Sequence, residues 1–409
     1  MPTRWWTPSV YVPVMIVGLV AGSIVWVNVN GGRSKGRPSP PPITSAPLST
    51  VTTSVSGLDD TVREMDRRLS SSPGDLRAAI QLTDALMRLA RVRADGGVVA
   101  RGEEVLRRAL DAHPADYQAE QMLGSLYLSE HKFRQAIAIA ERTRDARPLD
   151  PTNYGILGDA HLELGEYEQA FDNFDQMMRL RPNAASYARV AYARELQGHV
   201  AAALESMRLA LDAVPPTDLE SLAWHHAQIG ELYLKLGDTA KAEQAFMSAS
   251  HAFPGHPFAV LGYARTLAAE GDRRGAIAAL RAQGNRPASP DVHALLGDLL
   301  DATGQHAEAT TEYALAEAAW RSDAPEPRNL SKLLASQGRV EEAVEAAESA
   351  ARTRDDIFTD DALAWAYFKS GRMADAERLA ERAMRTGTRD RDVLAHVAAI
   401  RGAQKMAAR

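Results

Sequence analysis

The sequence contains no cysteine, and this absence excludes several classes of protein at once. Disulfide-stapled folds, thiolate zinc sites, thiol nucleophiles and lipobox-type lipid anchors all require cysteine. Aromatic residues are also sparse, at 6% of 409 residues, whereas alanine is abundant. Many small residues and few aromatic ones favour closely packed helices over a β-sandwich.

An excess of positive charge is also lacking, since the formal net charge is -6 and the two signs are interspersed. A nucleic-acid partner is therefore not expected. The sequence has no nucleophile elbow, Walker loop, dinucleotide fingerprint or His-Glu-x-x-His motif. His225 and His226 are adjacent on a predicted helix and point about 100° apart, which is poor geometry for one metal ion. We expect no metal, no cofactor and no enzymatic activity.

Two pairs of adjacent carboxylates, Glu341–Glu342 and Asp360–Asp361, are the other candidates for acid-base chemistry. Each pair lies near the predicted start of a helix, where negative charge meets the positive end of the helix dipole. We interpret both pairs as solvent-facing helix starts.

Residues 9–29 form one uncharged, mostly apolar run. A helix of this length crosses a bilayer core of about 30 Å. Trp5 and Trp6 precede it, in the tail 1–8, where interfacial aromatics belong. The alternatives are a buried core helix and a signal peptide cleaved after Ser23. We favour an uncleaved transmembrane anchor, because the run is long for a signal peptide and leads into a linker.

Residues 30–56 are rich in proline, serine and threonine and have too little apolar content to pack. We expect a disordered tether that holds the remainder of the chain away from the membrane. Arg33, Lys35 and Arg37 outnumber Arg4, and this charge bias favours a cytoplasmic array. The stalk-like composition and the short N-terminal tail favour an extracytoplasmic array. We expect the latter, and the cytoplasmic orientation stays open.

Glycine and alanine recur at nearly fixed intervals from Gly165 to Ala376. A glycine follows each apolar run, and an alanine stands five residues after each glycine. The glycines are Gly165, Gly198, Gly237, Gly271, Gly304, Gly338 and Gly371, and the alanines are Ala170, Ala203, Ala242, Ala276, Ala309, Ala343 and Ala376. The glycines are 33 or 34 residues apart, except for one interval of 39. A separate series of prolines repeats the long interval, which places an insertion of about five residues near Pro215.

The clearest unit runs from Tyr154 to Pro182 and contains Gly158, Gly165 and Ala170. It resembles the tetratricopeptide repeat family, whose period is 34 residues, and the layout is similar to membrane-anchored bacterial-type members. The resemblance implies an all-α fold, a right-handed α-solenoid of about nine helix pairs over 75–390. We expect a leading helix at 57–74 and a capping helix at 391–409, because solenoid ends need a polar outer face.

Helix geometry gives these positions their physical roles. The turn glycines end the first helix of each pair, where a left-handed residue is least costly as glycine; in the second repeat His131 replaces this glycine. A second set of glycines is expected where two helices approach closely, with aromatic rings filling the space beneath. These glycines are Gly158, Gly230 and Gly297, and the rings belong to Phe174, Phe246 and Tyr313.

The resemblance also implies a concave groove, lined by first-helix residues at fixed spacings from each turn glycine. Carried over to this sequence, the predicted partner-binding residues are Tyr192, Glu195, Trp224, Glu231, Lys235, Phe258, Arg265, Asp298, Arg328, Lys332, Trp365 and Lys369. Asp159, Glu163, Asp301 and Phe368 occupy equivalent positions. Aromatics mixed with both signs of charge suit a peptide or helix ligand. The alternative for Tyr192, Phe258 and Phe368 is partial burial between repeats.

The leading hypothesis is a membrane-tethered scaffold that binds a protein or peptide partner during assembly or organisation of a membrane or envelope complex. One alternative is an assembly factor that holds the tail of an apo-protein, as in cytochrome maturation. The remote alternative is an enzyme with a site between repeats. Lysines and asparagines that hold a carboxylate in chaperone-binding members of the family are absent at the matching positions, so that role is disfavoured.

Overall fold

The computed structural model describes residues 55–93, 96–282, 289–322 and 326–407, and its regular elements within these ranges are all helical. The helices are α1 (Val55–Ser71), α2 (Leu76–Arg93), α3 (Ala100–Ala112), α4 (Tyr117–Ser129), α5 (Phe133–Ala146), α6 (Pro151–Glu163), α7 (Tyr167–Leu180), α8 (Ala184–Leu196), α9 (Val200–Asp212), α10 (Leu219–Leu236), α11 (Thr239–Ala252), α12 (Pro257–Ala269), α13 (Arg273–Arg281), α14 (Pro290–Ala302), α15 (His306–Trp320), α16 (Pro327–Ser336), α17 (Val340–Ala351), α18 (Ile357–Lys369), α19 (Met373–Ala383) and α20 (Arg391–Ala407).

The predicted tail, the predicted anchor at 9–29 and residues 30–54 of the predicted tether lie outside the described residues. Within the described ranges, none of the helices combines the length and the apolar character needed to span a bilayer. Helix α1 occupies Val55–Ser71, the region of the expected leading helix, and α20 follows the array at Arg391–Ala407.

Helices α2 to α19 form nine consecutive hairpins, each packed on the next, with α1 against α2 and α20 against α18 and α19. The all-helical repeat array predicted from the sequence is thus confirmed. All seven turn glycines adopt left-handed backbone conformations, with φ between 72° and 90°. His131 adopts φ 57° at the equivalent turn, so it takes the glycine's conformation as predicted.

The glycine–aromatic pairs hold the hairpins together. A Cβ atom on Gly230 would lie 2.6 Å from the ring of Phe246, and one on Gly297 would lie 2.5 Å from Tyr313. Gly158 faces Phe174 in the same way. The seven alanines that follow the turn glycines are at most 1% exposed. The close approach inferred from the repeat pattern is therefore present.

The predicted insertion near Pro215 lengthens α10. This helix has 18 residues, whereas α8 and α12 beside it have 13 each. Asp218 caps its start by accepting a hydrogen bond from the backbone N–H of Ser221. The added turn carries Glu220, whose carboxylate lies 2.8 Å from the guanidinium of Arg91 on α2. The insertion thus joins α10 to the beginning of the array.

A second contact joins helices six pairs apart in the chain, α6 and α18. The backbone N–H of Asp355 donates to the carbonyl of Glu163 at 3.2 Å. The backbone N–H of Ile357 donates to the hydroxyl of Tyr167 at 2.8 Å. Leu162 and Leu196 share one hydrophobic core with residues of α18, α19 and α20. The solenoid therefore winds until one superhelical turn lies directly on another; we call this contact the seam.

The packing of α18 against the segments that follow it corrects one interpretation made from the sequence. Asp360 and Asp361 do lie in the first turns of α18, but they are only 3% and 1% exposed. Asp360 pairs with Arg385, and Asp361 lies 2.9 Å from His396. These two carboxylates are buried and paired with residues that follow α18, and do not face solvent.

Candidate functional site

The twelve predicted groove residues differ widely in exposure. Four are buried, namely Trp224, Arg265, Asp298 and Arg328, at 5–8% exposure. Seven are partly buried, namely Tyr192, Glu195, Glu231, Lys235, Phe258, Lys332 and Trp365, and Lys369 is exposed. Their role in binding a partner stays a prediction. The structure adds that most of them contact other parts of this chain.

The seam places two predicted groove residues, Tyr192 and Arg328, beside one another. They line a small cavity between the turns together with Glu163, Tyr167, Lys332 and Phe358. Arg328 donates to Asp356 at 2.8 Å, and both side chains are buried. Burial opposes the charge on Asp356, yet the adjacent guanidiniums of Arg328 and Arg354 hold its pKa below the ordinary value.

Arg354 connects the two walls of this cavity. It lies 3.1 Å from Glu163 on α6 and 3.4 Å from Glu326 at the start of α16. Glu326 also lies 3.1 Å from His131 of the early turn. Burial raises the pKa of Glu163 to about 7, against the charge of Arg354. Burial lowers the pKa of His131 to about 4, so this imidazole is neutral at pH 7.

On the face formed by the first helices of the hairpins, which we call the inner face, Lys235 makes a partly buried bridge between the turns. Its ammonium lies 2.5 Å from Glu195 and 3.3 Å from Asp390. Burial disfavours the charge on Lys235, but these two carboxylates outweigh it and raise the pKa of the ammonium above its usual range. Arg265 pairs similarly with Glu231 of the neighbouring repeat, at 2.9 Å.

A partly exposed strip lies on α18, at Trp365, Phe368 and Lys369. The indole of Trp365 stacks on the ring of His396 from α20, with 4.2 Å between the ring centroids. The ammonium of Lys369 lies over the same indole, 5.0 Å from the centroid. We call these three residues the α18 strip, because they leave an aromatic surface and a cation accessible together.

The predicted aromatic residues of the fifth and sixth hairpins, Trp224 and Phe258, pack against one hydrophobic core cluster. Trp224 packs in a cluster with Leu58 of α1 and Leu89 of α2, and it is 8% exposed. Phe258 packs against the same cluster and lies beside His256. The partial burial proposed as an alternative thus holds for Phe258, and Trp224 is buried more deeply still.

Acidic residues form another part of the inner face. Asp298 accepts a hydrogen bond on Oδ1 from the hydroxyl of Tyr313, at 2.8 Å. Asp298 Oδ2 is buried, and none of the residues that the structure describes donates a hydrogen bond to it. Burial raises the pKa of Asp298 to about 7, against the hydrogen bond from Tyr313, which lowers it. Within the described ranges, no three carboxylate or histidine side chains come close enough together to hold a metal ion.

Several residues of the inner face were not predicted. Arg354, Asp356 and Asp390 precede their helices in inter-repeat segments, and Asp392 and His396 lie on the terminal helix. Only the spacing from the turn glycines served to select groove residues, and these positions fall outside that register. Their charge type alone gave no signal.

Comparison with known proteins agrees with the repeat geometry. Two family models described as tetratricopeptide repeat match residues 122–185 and 233–299. A search of curated protein sequences returned no match.

Solved structures share the architecture at low identity. The human IFIT1 dimer with m7Gppp-AAAA is 17% identical, with 81% of this chain and 77% of that chain covered and a TM-score of 0.51. Yeast Tom70 is 15% identical, with coverage of 86% and 87% and a TM-score of 0.45. The hetero-tetramer Cut9–Hcn1 of the APC/C is 13% identical, with 84% of this chain covered and a TM-score of 0.46. This chain spans 59% of the matched chain. The likeness concerns the fold.

This fold is typical of proteins that bind other proteins. The repeated hairpins, their left-handed turn glycines and both family matches lead to one conclusion: the chain belongs to the tetratricopeptide repeat family.

Proposed function

We propose that this protein is a membrane-tethered scaffold whose solenoid binds a protein partner and supports assembly or organisation of a membrane or envelope complex. The repeat fold supports the binding function, and the α18 strip is the observation that carries it. Aromatic residues beside a cation are typical of binding hot spots. We propose a binding function and no catalysis.

The contact surface we propose is narrower than the groove predicted from the sequence. Trp224 and Arg265 are committed to contacts inside the chain. The α18 strip stays accessible, and Tyr192 and Lys332 at the seam cavity are partly exposed. A partner segment on the inner face would therefore contact the later repeats first.

Tethering is the second part of the proposal. It depends on the apolar run 9–29 and the proline-rich run 30–56. In this arrangement the array projects from an N-terminal anchor to the extracytoplasmic side. A reporter fused after Arg409 and active on one side of the membrane tests the orientation.

Affinity purification from solubilised membranes, after cross-linking in cells, tests the binding function. We expect one stoichiometric partner with the unmodified chain and loss of that partner with Trp365→Ala. Met247→Ala is the control, because Met247 is a large apolar residue on α11 that is 59% exposed. Absence of any stoichiometric partner, or equal loss with the control, contradicts the proposal.

A further inference from the structure

The lysine of the α18 strip has no counter-charge in the described part of the chain. Lys369 is exposed, and its one recorded contact there is with the indole of Trp365. The other lysine side chains that the structure describes all lie 3.6 Å or less from a carboxylate oxygen, namely those of Lys132, Lys235, Lys241 and Lys332. An anionic partner can therefore pair with Lys369 without first breaking an internal ion pair.

Two aromatic rings lie beside this ammonium. Trp365 is one helical turn before Lys369, and the ammonium lies 5.0 Å from the centroid of its indole. The ring of Phe368 lies 5.3 Å from that indole and is tilted by 32° against it. Both side chains are partly buried, so part of each stays accessible. The α18 strip thus offers an apolar surface and a single positive charge next to each other.

The indole of Trp365 is fixed by contacts inside the chain. The ring of His396 stacks on it, with 4.2 Å between the centroids and an angle of 16° between the planes. The imidazole is held in turn by Asp361, whose Oδ1 lies 2.9 Å from His396 Nδ1 and whose side chain is 1% exposed. A side chain that is already ordered loses little freedom on binding. Trp365 is therefore a preorganised anchor.

The charge of the strip favours a protein segment over a nucleic acid. A nucleic acid needs several cations to neutralise its phosphates, and it binds poorly to an acidic protein. The α18 strip has one lysine, in a chain whose formal net charge is -6. One carboxylate is enough to pair with one ammonium, and an apolar side chain next to it would cover the rings.

We propose that the α18 strip binds a segment of a protein partner in which an aspartate or glutamate lies next to a large apolar side chain. This inference rests on the proposed function and names the chemistry of its partner. The carboxylate pairs with Lys369, while the apolar side chain packs on Phe368 and on the accessible part of Trp365.

Peptide selection tests this chemistry without knowledge of the partner. The probe is a phage-displayed library of random dodecapeptides, and the target is the full chain in detergent. We expect the unmodified chain to enrich peptides with an acidic residue next to a large apolar one. Lys369→Glu should enrich lysine or arginine in place of the acidic residue, because reversing the charge reverses the preference. The same acidic preference in both proteins overturns the inference.

Lys241→Glu is the matched control. The ammonium of Lys241 also lies over an aromatic ring, 5.6 Å from the centroid of Tyr233, and its side chain is 57% exposed. It differs from Lys369 in being paired with Asp238, at 2.5 Å. We expect Lys241→Glu to enrich the same peptides as the unmodified chain. A switch as large as that of Lys369→Glu would mean that net charge directs the selection, and the inference would be wrong.

The affinity of the most enriched peptide gives the size of the effect. Fluorescence anisotropy of the labelled peptide at physiological ionic strength should show binding weakened about fivefold in Lys369→Met and about tenfold in Lys369→Glu. Circular dichroism should be the same for both variants and the unmodified chain, because Lys369 is exposed. Full affinity in Lys369→Glu, or undiminished binding in Trp365→Ala, contradicts the assignment.

Partner capture distinguishes this inference from the proposed function. If Trp365→Ala loses the captured partner and Lys369→Glu keeps it with full affinity, the acidic chemistry is wrong and the scaffold function stands. If the unmodified chain captures no partner, the scaffold function fails, whatever the peptides do. A single-stranded oligonucleotide that displaces the peptide from the unmodified chain, and fails to bind Lys369→Glu, would make the occupant a nucleic acid and overturn the inference.

Discussion

At the scale of single residues, the tightest constraint surrounds Phe246. Its ring lies under two glycines, Gly230 on α10 and Gly262 on α12, and is fully buried. One aromatic side chain thus sets the separation of two neighbouring first helices. Only glycine leaves room for the ring at both positions.

We predict that Gly262→Ala destabilises the protein by about 2 kcal/mol, because the added Cβ would overlap the Phe246 ring and force the helices apart. Gly402→Ala is the control. Gly402 lies in α20 with open space around its Cβ position, and alanine there should stabilise by about 0.5–1 kcal/mol. Urea unfolding followed by circular dichroism measures both, and equal effects would exclude the packing argument.

A buried imidazole makes the stability of the protein depend on pH. Burial lowers the pKa of His225 to about 4, and its Nδ1 lies 2.7 Å from the carbonyl of Ser221. Glu220 and Asp218 favour its charged form, whereas Arg91 opposes it. The unfolded state takes up a proton near pH 6.5 and the folded state only near pH 4. Its contribution to stability is therefore complete above pH 6.5 and is lost as the pH falls towards 4.

We predict that His225 gives the free energy of unfolding a downward slope from pH 6.5 to pH 4 worth at most about 3 kcal/mol, against which buried carboxyl groups of raised pKa such as Glu163 act with the opposite sign. His225→Gln should reduce this slope, since glutamine does not titrate. His251→Gln, at an exposed position on α11, should leave the slope unchanged. Denaturant unfolding at several pH values measures the slope, and identical slopes in all three proteins would contradict the prediction.

At the scale of elements, the sequence predicted where the insertion lies but not which contacts it makes. The 39-residue interval located the insertion, but nothing in the repeat pattern indicated that the longer α10 would contact α2. Arg88 and Arg91 lie on one helix and their partners Asp218 and Glu220 at the start of another, more than a hundred residues away. Such a contact has no periodicity in the sequence, so it cannot be read from spacing.

The same limit applies to the charged residues of the inner face, because their spacing does not show what covers them. Hairpin register predicted that Arg328 and Asp298 belong to first helices, and the structure has them on α16 and α14. The register contains no information on whether solvent or another turn covers that face. Asp360 and Asp361 were misinterpreted for a related reason: their partners Arg385 and His396 follow α18, and a buried pair and a solvated helix start have the same local sequence.

Two turn glycines allow the close packing at the seam to be tested. Gly165 and Gly304 have φ 72° and 81°, so alanine at either should cost about 1 kcal/mol in backbone conformation. A Cβ on Gly304 meets open space, whereas one on Gly165 would overlap the carbonyl oxygen of Asp355 across the seam. We predict that Gly165→Ala is more destabilising than Gly304→Ala by about 2 kcal/mol.

Hydrogen exchange locates the effect. The amide of Asp355, which donates to Glu163, should exchange faster in Gly165→Ala and at the original rate in Gly304→Ala. Equal exchange of this amide in both variants would show that the seam tolerates the side chain.

At the scale of the whole molecule, the seam changes how the array behaves as a solenoid. In an open solenoid each repeat contacts only its neighbours, and the array can unfold from an end. Here α6 hydrogen-bonds to the start of α18, so the last repeats cannot separate without breaking contacts made near the middle of the chain. The accessible inner surface is correspondingly smaller than in an open array.

Arg354 supplies an ion pair across this closure. It pairs with Glu163 and Glu326 and lies 5.5 Å from the Phe133 ring centroid. Removing its charge leaves the buried carboxylate of Glu163 and the partly buried carboxylate of Glu326 without this cation, and breaking a buried ion pair costs about 3–5 kcal/mol. We predict that Arg354→Met opens the seam while each hairpin stays folded, because the hairpins do not use this residue.

The absence of cysteine makes the opening measurable by electron paramagnetic resonance, since introduced labels are unique. Spin labels at Glu168→Cys on α7 and Arg378→Cys on α19 report the distance between the turns, and both positions are exposed. The distance should lengthen and broaden in Arg354→Met. It should stay unchanged in Arg321→Met. Arg321 pairs with Glu317 and Glu342 at the surface, where ion pairs contribute little to stability. A sharp, unshifted distance in Arg354→Met would mean that the apolar contacts of Leu162 and Leu196 hold the turns together without the ion pairs.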